Sequence, residues 1–506
     1  TRFKCDWSSD VCSSDLKRNW IVTPRLTLQE TLTDNVSPGT KLEASDRITE
    51  LAPGIRIVGQ SARAKLNLDY SVKQLNYGRN TRGDQTQQEL NGIANLEMID
   101  KLLYLDLSGI INQQAISAFG VQSPEYAIND NLTETSTFRI SPYFKGRLGG
   151  VANYEGRYSR TRAHSKSASV ADKDIGDWRG TLSGDFRATK FGWRLEAGRQ
   201  NYDFEGGRGT ESTNWRGMLG YQLTQELRFA ASLGRERNDF VSADKQSWRI
   251  HGSGVDWQPG PRTQLSVFRE KRFFGVGHSV TLSHRMRRSI LKYSDSRDIS
   301  ALPTQFQGTA LGSLYDLLFD QLADSIPDEL MRSDYVAQLM AQNGLSPTAQ
   351  VISSYLDSSV SARRQQELSF MLRGVRNTLT IAFLRSQDER LGLTDVSSLL
   401  SVSQRGISVG LSHQLSALTS LNIAGRHSHS SSMSSLGEWS TQKSLTAGVT
   451  THLGAHTTAG LSARRTIFDN QATPYTENAV VGTLTLQFCR CDDASWRPYY
   501  GRVVCS

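Results

Sequence analysis

Cysteine is absent from the body of this chain of 506 residues. No cysteine occurs from Lys17 to Phe488, and the five that exist lie near the two ends: Cys5, Cys12, Cys489, Cys491 and Cys505. A disulfide or metal framework would draw on residues throughout the fold, and the spacing of Cys489 and Cys491 does not match a zinc site. The sequence therefore excludes a fold that is held together by thiol chemistry.

The two ends of the chain also differ from the rest in their residue pattern. The stretch DWSSDVCSSDL, residues 6–16, has no periodicity and resembles the translation of a common short-read sequencing adapter. We expect residues 1–16 to be a sequencing artefact that is not part of the fold. Residues 489–506 carry three cysteines and no alternation, and we expect them to be an artefactual tail. On this hypothesis residues 17–488 form the body of the protein, and a missing signal peptide says nothing about its compartment.

Long hydrophobic runs are missing as well. Hydrophobic residues make up 37% of the chain and the mean hydropathy is −0.44, and no run approaches the ~20 apolar residues of a membrane helix. The net charge of +8 combined with low hydrophobicity could indicate disorder. Disorder is excluded by what the chain does have, which is a strong alternation of apolar and polar residues.

The alternation has a period of two. In WRGTLSGDFRA, residues 178–188, the side chains of Trp178, Leu182 and Phe186 fall on one face and polar or charged residues fall on the other. Because successive side chains of a strand point to opposite faces, such a segment predicts a strand with one apolar and one polar face. Similar segments recur from about residue 22 to Phe488.

The connections between these segments alternate in length. Short turns such as 454–456 alternate with longer polar connections such as 34–45, 114–133 and 388–400. This organisation is typical of a transmembrane β-barrel. We predict an all-β fold, a large antiparallel barrel of about 22 strands in a bacterial outer membrane. A soluble β-sandwich fits less well because the polar face is charged on most strands, and a β-helix would show a fixed repeat.

The requirement for an even number of strands makes a specific prediction about residues 276–297. All short turns lie at one end of the barrel only if this stretch forms a hairpin of two strands, 279–285 and 289–296, that turns at 286–288. The longest connection, 298–358, then lies outside the cell. Leu311, Leu314 and Leu318 lie at helical spacing within it, and Pro327 is typical of a helix start. We expect an extracellular helical loop that acts as a lid, gate or plug, or packs on the rim.

The polar face supplies the candidate functional residues. Charged residues facing lipid near the midplane would cost ~2–4 kcal/mol each, so this face must line the lumen. A cationic excess in a confined lumen favours anions, unless Arg–Glu pairing neutralises it. The predicted pore-lining residues over 137–236 are Arg139, Lys145, Arg147, Arg157, Arg179, Arg187, Arg194, Arg216, Arg228, Glu155, Asp185, Glu196 and Glu236.

Catalytic motifs are missing. The sequence has no Walker loop, no HExxH and no GxSxG, so we predict no catalytic residues, no metal site and no cofactor. His427 and His429 would share a face on a strand and could hold a metal, but no carboxylate or cysteine lies nearby in sequence. We expect them at a solvated loop end. An enzyme whose site is assembled across strands stays an alternative.

Several stretches resemble a known family. They are Trp20 to Asn35, Thr49 to Ile55, Arg272 to Gly275 with Ser283 to Arg285, and the loop with Pro327, Asp328, Arg332, Tyr335, Val336 and 343–345. They are similar to outer-membrane proteins associated with exosortase (PEP-CTERM) and exopolysaccharide loci. The resemblance covers nearly all of residues 18–488 and implies an outer-membrane barrel that serves exopolysaccharide export or secretion.

The expected partners follow from this resemblance and from the last strand. Outer-membrane lipid, polysaccharide and export-complex proteins are expected, and nucleic acid is not. The alternating strand that ends in Phe488 resembles the signal by which the outer-membrane assembly machinery recognises its clients. The alternatives are a TonB-dependent-type transporter barrel whose plug is missing from this fragment, and a structural or adhesive barrel.

Overall fold

A single antiparallel sheet of long strands forms the whole of the described fold. The computed structural model describes residues 19–40, 44–79, 81–184, 190–301, 332, 336, 355–356, 359–392, 401–433, 437–488 and 491–492. The first eleven strands are β1 (Asn19–Thr33), β2 (Asp46–Gln60), β3 (Ala64–Tyr77), β4 (Gln85–Ile99), β5 (Leu103–Ala115), β6 (Leu132–Leu148), β7 (Ala152–Ser165), β8 (Lys173–Gly184), β9 (Phe191–Phe204), β10 (Thr210–Gln222) and β11 (Leu227–Asn238). The next eleven are β12 (Gln246–Gly260), β13 (Thr263–Arg272), β14 (Gly275–Arg285), β15 (Ser289–Ser300), β16 (Ser361–Arg373), β17 (Asn377–Arg390), β18 (Val402–Gln414), β19 (Thr419–Ser432), β20 (Trp439–His452), β21 (Thr457–Asn470) and β22 (Tyr475–Gln487).

The sheet closes on itself. Each strand pairs with its neighbours in the chain, and β1 pairs antiparallel with β22 from Arg25 opposite Gln487 to Thr33 opposite Ala479. A two-residue strand, β23 (Cys491–Asp492), continues along the same edge of β1. Closure removes the free edges that a sheet would otherwise expose. The prediction of an all-β antiparallel barrel of about 22 strands is confirmed.

The turns define two ends of the barrel. At one end the connections are short, such as 261–262 between β12 and β13, and we call it the short-turn end. The other, the long-loop end, carries connections such as 34–45 and 116–131. The predicted hairpin turning at 286–288 is confirmed by β14 and β15. One connection at the long-loop end, Phe273 and Phe274, is short, and Gly275 after it has a φ of 100°, a conformation that glycine adopts without strain.

The two faces of the barrel wall differ as the alternation predicts. Large apolar side chains such as Phe144, Trp178 and Trp215 point outward. About half of the surface of each is not covered by other parts of the protein. Lipid contact would bury this apolar surface. Polar and charged side chains point inward. The buried apolar clusters lie at the long-loop end, where inward side chains and loops meet, as with Val36, Ile48 and Tyr126.

The predicted helical loop within 298–358 lies almost wholly outside the described residues. Of residues 302–354 the structure describes only Arg332 and Val336, both of which are buried. The helices and the gating role of this loop therefore stay predictions. Among the described residues, no helix has the length and apolarity that crossing a membrane would require.

Candidate functional site

The lumen is the candidate site, and the predicted residues lie along its wall. In the pairing register, Arg139, Lys145 and Arg147 of β6 alternate with the outward Phe138, Ile140, Phe144 and Leu148. The same holds for Glu155 and Arg157 of β7, Arg179 of β8, Arg194 and Glu196 of β9, Arg216 of β10, and Arg228 and Glu236 of β11. Asp185 and Arg187 lie outside the described residues.

Ion pairs join inward side chains from different strands. The Arg157 guanidinium lies 2.7 Å from the Asp106 carboxylate and 3.0 Å from that of Glu155. It also stacks on the Tyr143 ring, 3.8 Å from the centroid. Because Asp106 is two strands away, on β5, the pair forms across the concave face of the sheet. This geometry places the charged face on the inside.

A second group surrounds Arg216. Its guanidinium lies 2.5 Å from Glu196 and 3.1 Å from Glu270, which is on β13, three strands away. The Ser232 hydroxyl also donates to Glu270, at 2.9 Å. In a neighbouring pair, Arg272 lies 2.8 Å from the fully buried Glu236. Buried carboxylates held in this way neutralise part of the cationic excess that the sequence predicts.

The neutralisation of the inward cations is incomplete. Arg179 and Arg194 keep side-chain exposures of 57% and 58%, with carboxylates only at 3.8 and 3.7 Å. Lys145, Arg147 and Arg228 are exposed as well. All five lie in the half of their strands next to the short-turn end. The wall of this half thus combines paired charges, such as Arg157 with Asp106 and Glu155, with five exposed cations.

The loop between β5 and β6, residues 116–131, folds into the lumen. We call it the inward loop. Tyr126 at its centre donates a hydrogen bond to Glu477 of β22, at 2.5 Å, and accepts one from Arg464 of β21. Both partners lie on the inward faces of their strands. Burial raises the pKa of the Tyr126 phenol, so the hydroxyl stays protonated and able to donate at physiological pH.

Side chains of β20 and β21 hold the backbone of the inward loop. The Ser440 hydroxyl donates to the carbonyl of Ala118, at 2.9 Å, and the Asn470 amide donates to the carbonyl of Phe119, at 3.1 Å. Carbonyls in a loop would otherwise need water as a partner. These bonds fix the path of the loop, because each ties one carbonyl to one strand.

Apolar contacts support the same arrangement. Val121 of the inward loop packs with Phe468 and Tyr475, and Tyr77 of β3 donates to the carbonyl of Tyr126, at 2.9 Å. The loop between β1 and β2, residues 34–45, lies against the inward loop: a Cβ on Gly39 would lie 2.6 Å from the Val121 side chain. The inward loop therefore reaches from β5 to β20–β22 and occupies this sector of the mouth.

The sequence pattern predicts this segment only as a long polar connection. Its contacts join residues about 350 positions apart, such as Tyr126 and Glu477, which no local pattern reveals. A signal did exist, because the stretch AISAFGVQSPEYAI, residues 115–128, is more apolar than a solvated loop requires. Apolar residues in a loop indicate that it packs against something.

The histidine prediction is corrected. His427 and His429 lie within β19, on its outward face, and not at a loop end. His429 shares a hydrogen bond of 2.9 Å with the hydroxyl of Thr441, and the alternation of β19 explains their shared face. In the part of the chain that the structure describes, His, Cys, Asp and Glu side chains do not gather in groups of three that could hold a metal ion.

Comparison with known proteins identifies the fold. No protein-family model and no curated protein matches the sequence. Among solved structures, the FrpB iron transporter from Neisseria meningitidis (F5-1 variant, apoprotein form) is similar with a TM-score of 0.50 and 11% identity, covering 94% of this chain and 82% of that one. The ferric enterobactin receptor PfeA from Pseudomonas aeruginosa gives a TM-score of 0.48 and 9% identity, covering 92% and 80%. At 11% identity the similarity to the FrpB structure shows a shared barrel fold.

Proposed function

We propose that the chain is a transporter barrel of the TonB-dependent type in a Gram-negative outer membrane, with its long-loop end outside the cell. The barrel fold that it shares with the FrpB iron transporter supports this proposal. The observation that carries it is the inward loop, which is latched to the inward faces of β20–β22. A barrel that served only as a scaffold would not need a loop built into its lumen.

The charges of the lumen suggest the class of ligand. Exposed arginines and lysines near the short-turn end create a positive potential in a confined space. A small anionic ligand, such as a metal chelate with carboxylate or phenolate groups, would be drawn past the inward loop toward this end. The buried ion pairs near the mouth hold the wall rigid while the loop moves.

Uptake measurements test the proposal. Cells that carry the full gene should accumulate the anionic chelate of the cognate metal, and dissipating the proton-motive force should abolish accumulation. Arg179→Gln with Arg194→Gln should lower uptake, whereas Thr181→Gln, on the same wall, should not. Uptake that persists without the proton-motive force would contradict a TonB-dependent type and leave a passive pore.

Export of an exopolysaccharide is the second candidate, as the sequence resemblance implies. One observation favours it. Tyr104 and Tyr143 stack in the lumen with ring centroids 5.1 Å apart, and Lys145 lies over the Tyr104 ring at 4.2 Å. Aromatic faces next to cations suit an acidic sugar chain.

A deletion strain separates the two candidates. Loss of surface polysaccharide with normal growth on chelated metal would favour export, together with the export-complex partners that it requires. Normal polysaccharide with poor growth on the chelate would favour uptake. If a gene that carries both Tyr104→Ala and Tyr143→Ala restored surface polysaccharide to the deletion strain, the aromatic pair would be excluded as a sugar site.

A further inference from the structure

The outward face carries basic residues in a regular position. Starting from the short-turn end, the outward side chains of β11, β17, β18 and β20 are mainly apolar, and then a basic residue follows; on β12 and β13, polar or basic outward residues already precede Arg249 and Lys271. On β17 the order is Ile381, Phe383, Arg385, and on β20, read in the same direction, it is Leu445 and then Lys443. We call six such residues the basic collar: Arg235, Arg249, Lys271, Arg385, Arg405 and Lys443. All six are exposed.

The position along the strand gives the height of the collar. Arg235 lies eight residues beyond Leu227, where β11 leaves the short-turn end, and Arg249 lies eleven residues before Gly260, where β12 returns to it. With ~3.3 Å per residue and a strand tilt of ~40°, this places the collar roughly 20–28 Å above the short-turn end. The apolar band of an outer-membrane barrel is ~25 Å tall. The collar therefore lies at the level of the outer-leaflet headgroups.

Two pairs within the collar are unusual. Arg235 lies directly opposite Arg249 on the neighbouring strand, and Arg385 lies directly opposite Arg405. Like charges in directly opposite positions destabilise a sheet. Among the described residues, no carboxylate lies within ion-pair distance of these four guanidinium groups. Each pair thus presents two cations to the same point in the membrane interface.

Other outward arginines are neutralised within the protein. Arg160 lies 2.7 Å from Asp174, and Arg364 lies 2.8 Å from Asp295. The carboxylate of Glu211, which faces outward on β10, is engaged by Arg199 and Lys245. The two facing pairs differ from these sites because the wall around them, as far as the structure describes it, offers no carboxylate, and the group that Arg235 contacts is the neutral hydroxyl of Ser247, at 2.7 Å. A bound anion would balance their charge.

We propose that each facing arginine pair binds a phosphate group in the headgroup of an outer-leaflet glycolipid. Guanidinium groups bind phosphate in bidentate geometry, and two of them on adjacent strands, ~5 Å apart at the backbone, can share one phosphate. Their aliphatic stems cover the apolar wall below while the charged ends reach the headgroups. This binding concerns the surrounding membrane and goes beyond the transport of a ligand through the lumen.

Lipid binding by the purified full chain tests this assignment. The probes are bisphosphorylated lipid A and the same lipid with both phosphates removed, added to detergent-solubilised protein and measured by native mass spectrometry. The variant combines Arg235→Gln, Arg249→Gln, Arg385→Gln and Arg405→Gln. Each cation near an anionic lipid surface contributes about fivefold in affinity, so each site should lose roughly 25-fold for the bisphosphorylated lipid. The dephosphorylated lipid should not distinguish the variant from the parent.

Two controls separate binding from folding. A lumen variant with the same charge change, Lys145→Gln, Arg179→Gln, Arg194→Gln and Arg228→Gln, should bind lipid A like the parent. Without lipid, the outward variant should unfold at the same or a higher temperature, because it removes repulsion between like charges. Equal lipid A affinity of the outward variant and the parent would overturn the proposal.

A soluble anion is the remaining alternative. Inorganic phosphate at the same phosphate concentration should neither compete with lipid A nor raise the unfolding temperature. If inorganic phosphate protected the parent as well as lipid A does, the pairs would be sites for free anions and the lipid assignment would be wrong. Because no transported ligand is present in these measurements, the result does not depend on the proposed uptake function.

Discussion

The hydrogen bonds of Tyr126 with Glu477 and Arg464, which we call the latch, give a quantitative prediction for gating. Tyr126→Phe removes one hydroxyl, but Glu477 still accepts a hydrogen bond from Thr33, at 3.0 Å, and still faces Arg464. The expected loss is therefore ~1–2 kcal/mol. Tyr126→Ala also removes a buried ring, for which ~3–5 kcal/mol is typical. These losses weaken the attachment of the inward loop to the wall.

Single-channel recording in planar bilayers measures the effect. Since about 1.4 kcal/mol corresponds to a tenfold change in an equilibrium, Tyr126→Phe should raise the population of the open loop about tenfold. Tyr126→Ala should raise it by at least a hundredfold, seen as longer dwell times at a higher conductance. Tyr154→Phe, which removes a hydroxyl from the outward face, should leave the record unchanged.

The ranking of the three variants decides the outcome. If Tyr126→Ala inserts as a heat-modifiable barrel and its conductance equals that of the parent, the inward loop does not obstruct the passage. The lumen would then be closed elsewhere, and the role given to the latch would be wrong. An equal rise for Tyr126→Phe and Tyr154→Phe would show that the hydroxyl bond itself contributes nothing.

Three further predictions follow from the same geometry. Leu182→Arg should impair membrane assembly, because a charge in contact with lipid destabilises the barrel by ~2–4 kcal/mol. Thr181→Arg should be tolerated, because its side chain lies in the water-filled lumen. Heat-modifiability on gels compares the two variants. Arg179→Glu with Arg194→Glu should shift the reversal potential toward cations, and raising the salt concentration should reduce the shift by screening; an unchanged potential would contradict a cationic lining. Gly39→Ala should loosen the inward loop, because its Cβ would clash with the loop and its φ of 88° disfavours alanine by ~1 kcal/mol; more frequent openings in bilayer recordings would show this.

Local patterns were enough to predict the wall. Trp178 and Arg179 differ in lipid and water preference by their side chains alone, so the alternation predicts which faces out. The hairpin turn at 286–288 followed from the requirement that turns alternate in length. Neither prediction needed knowledge of a distant residue.

The contents of the lumen could not be predicted in the same way. Counting charges on strands near Arg157 and Arg216 missed Asp106 and Glu270, which lie on strands outside the counted window but pair across the concave wall. The inward loop was missed for the same reason. Curvature brings together residues that are distant in the chain, and a sequence pattern with a period of two carries no information about curvature.

The ladder between β1 and β22 has a kinetic consequence. Its partners, such as Thr31 and Val481, are 450 positions apart, whereas the other long ladders between described strands join consecutive strands. Folding slows as contacts become less local, so we expect this seam to form last. Until it does, the first and last strands are both exposed edges that can pair with other chains. The time between synthesis of the final strand and closure of the seam is then the interval in which the chain most needs protection from aggregation.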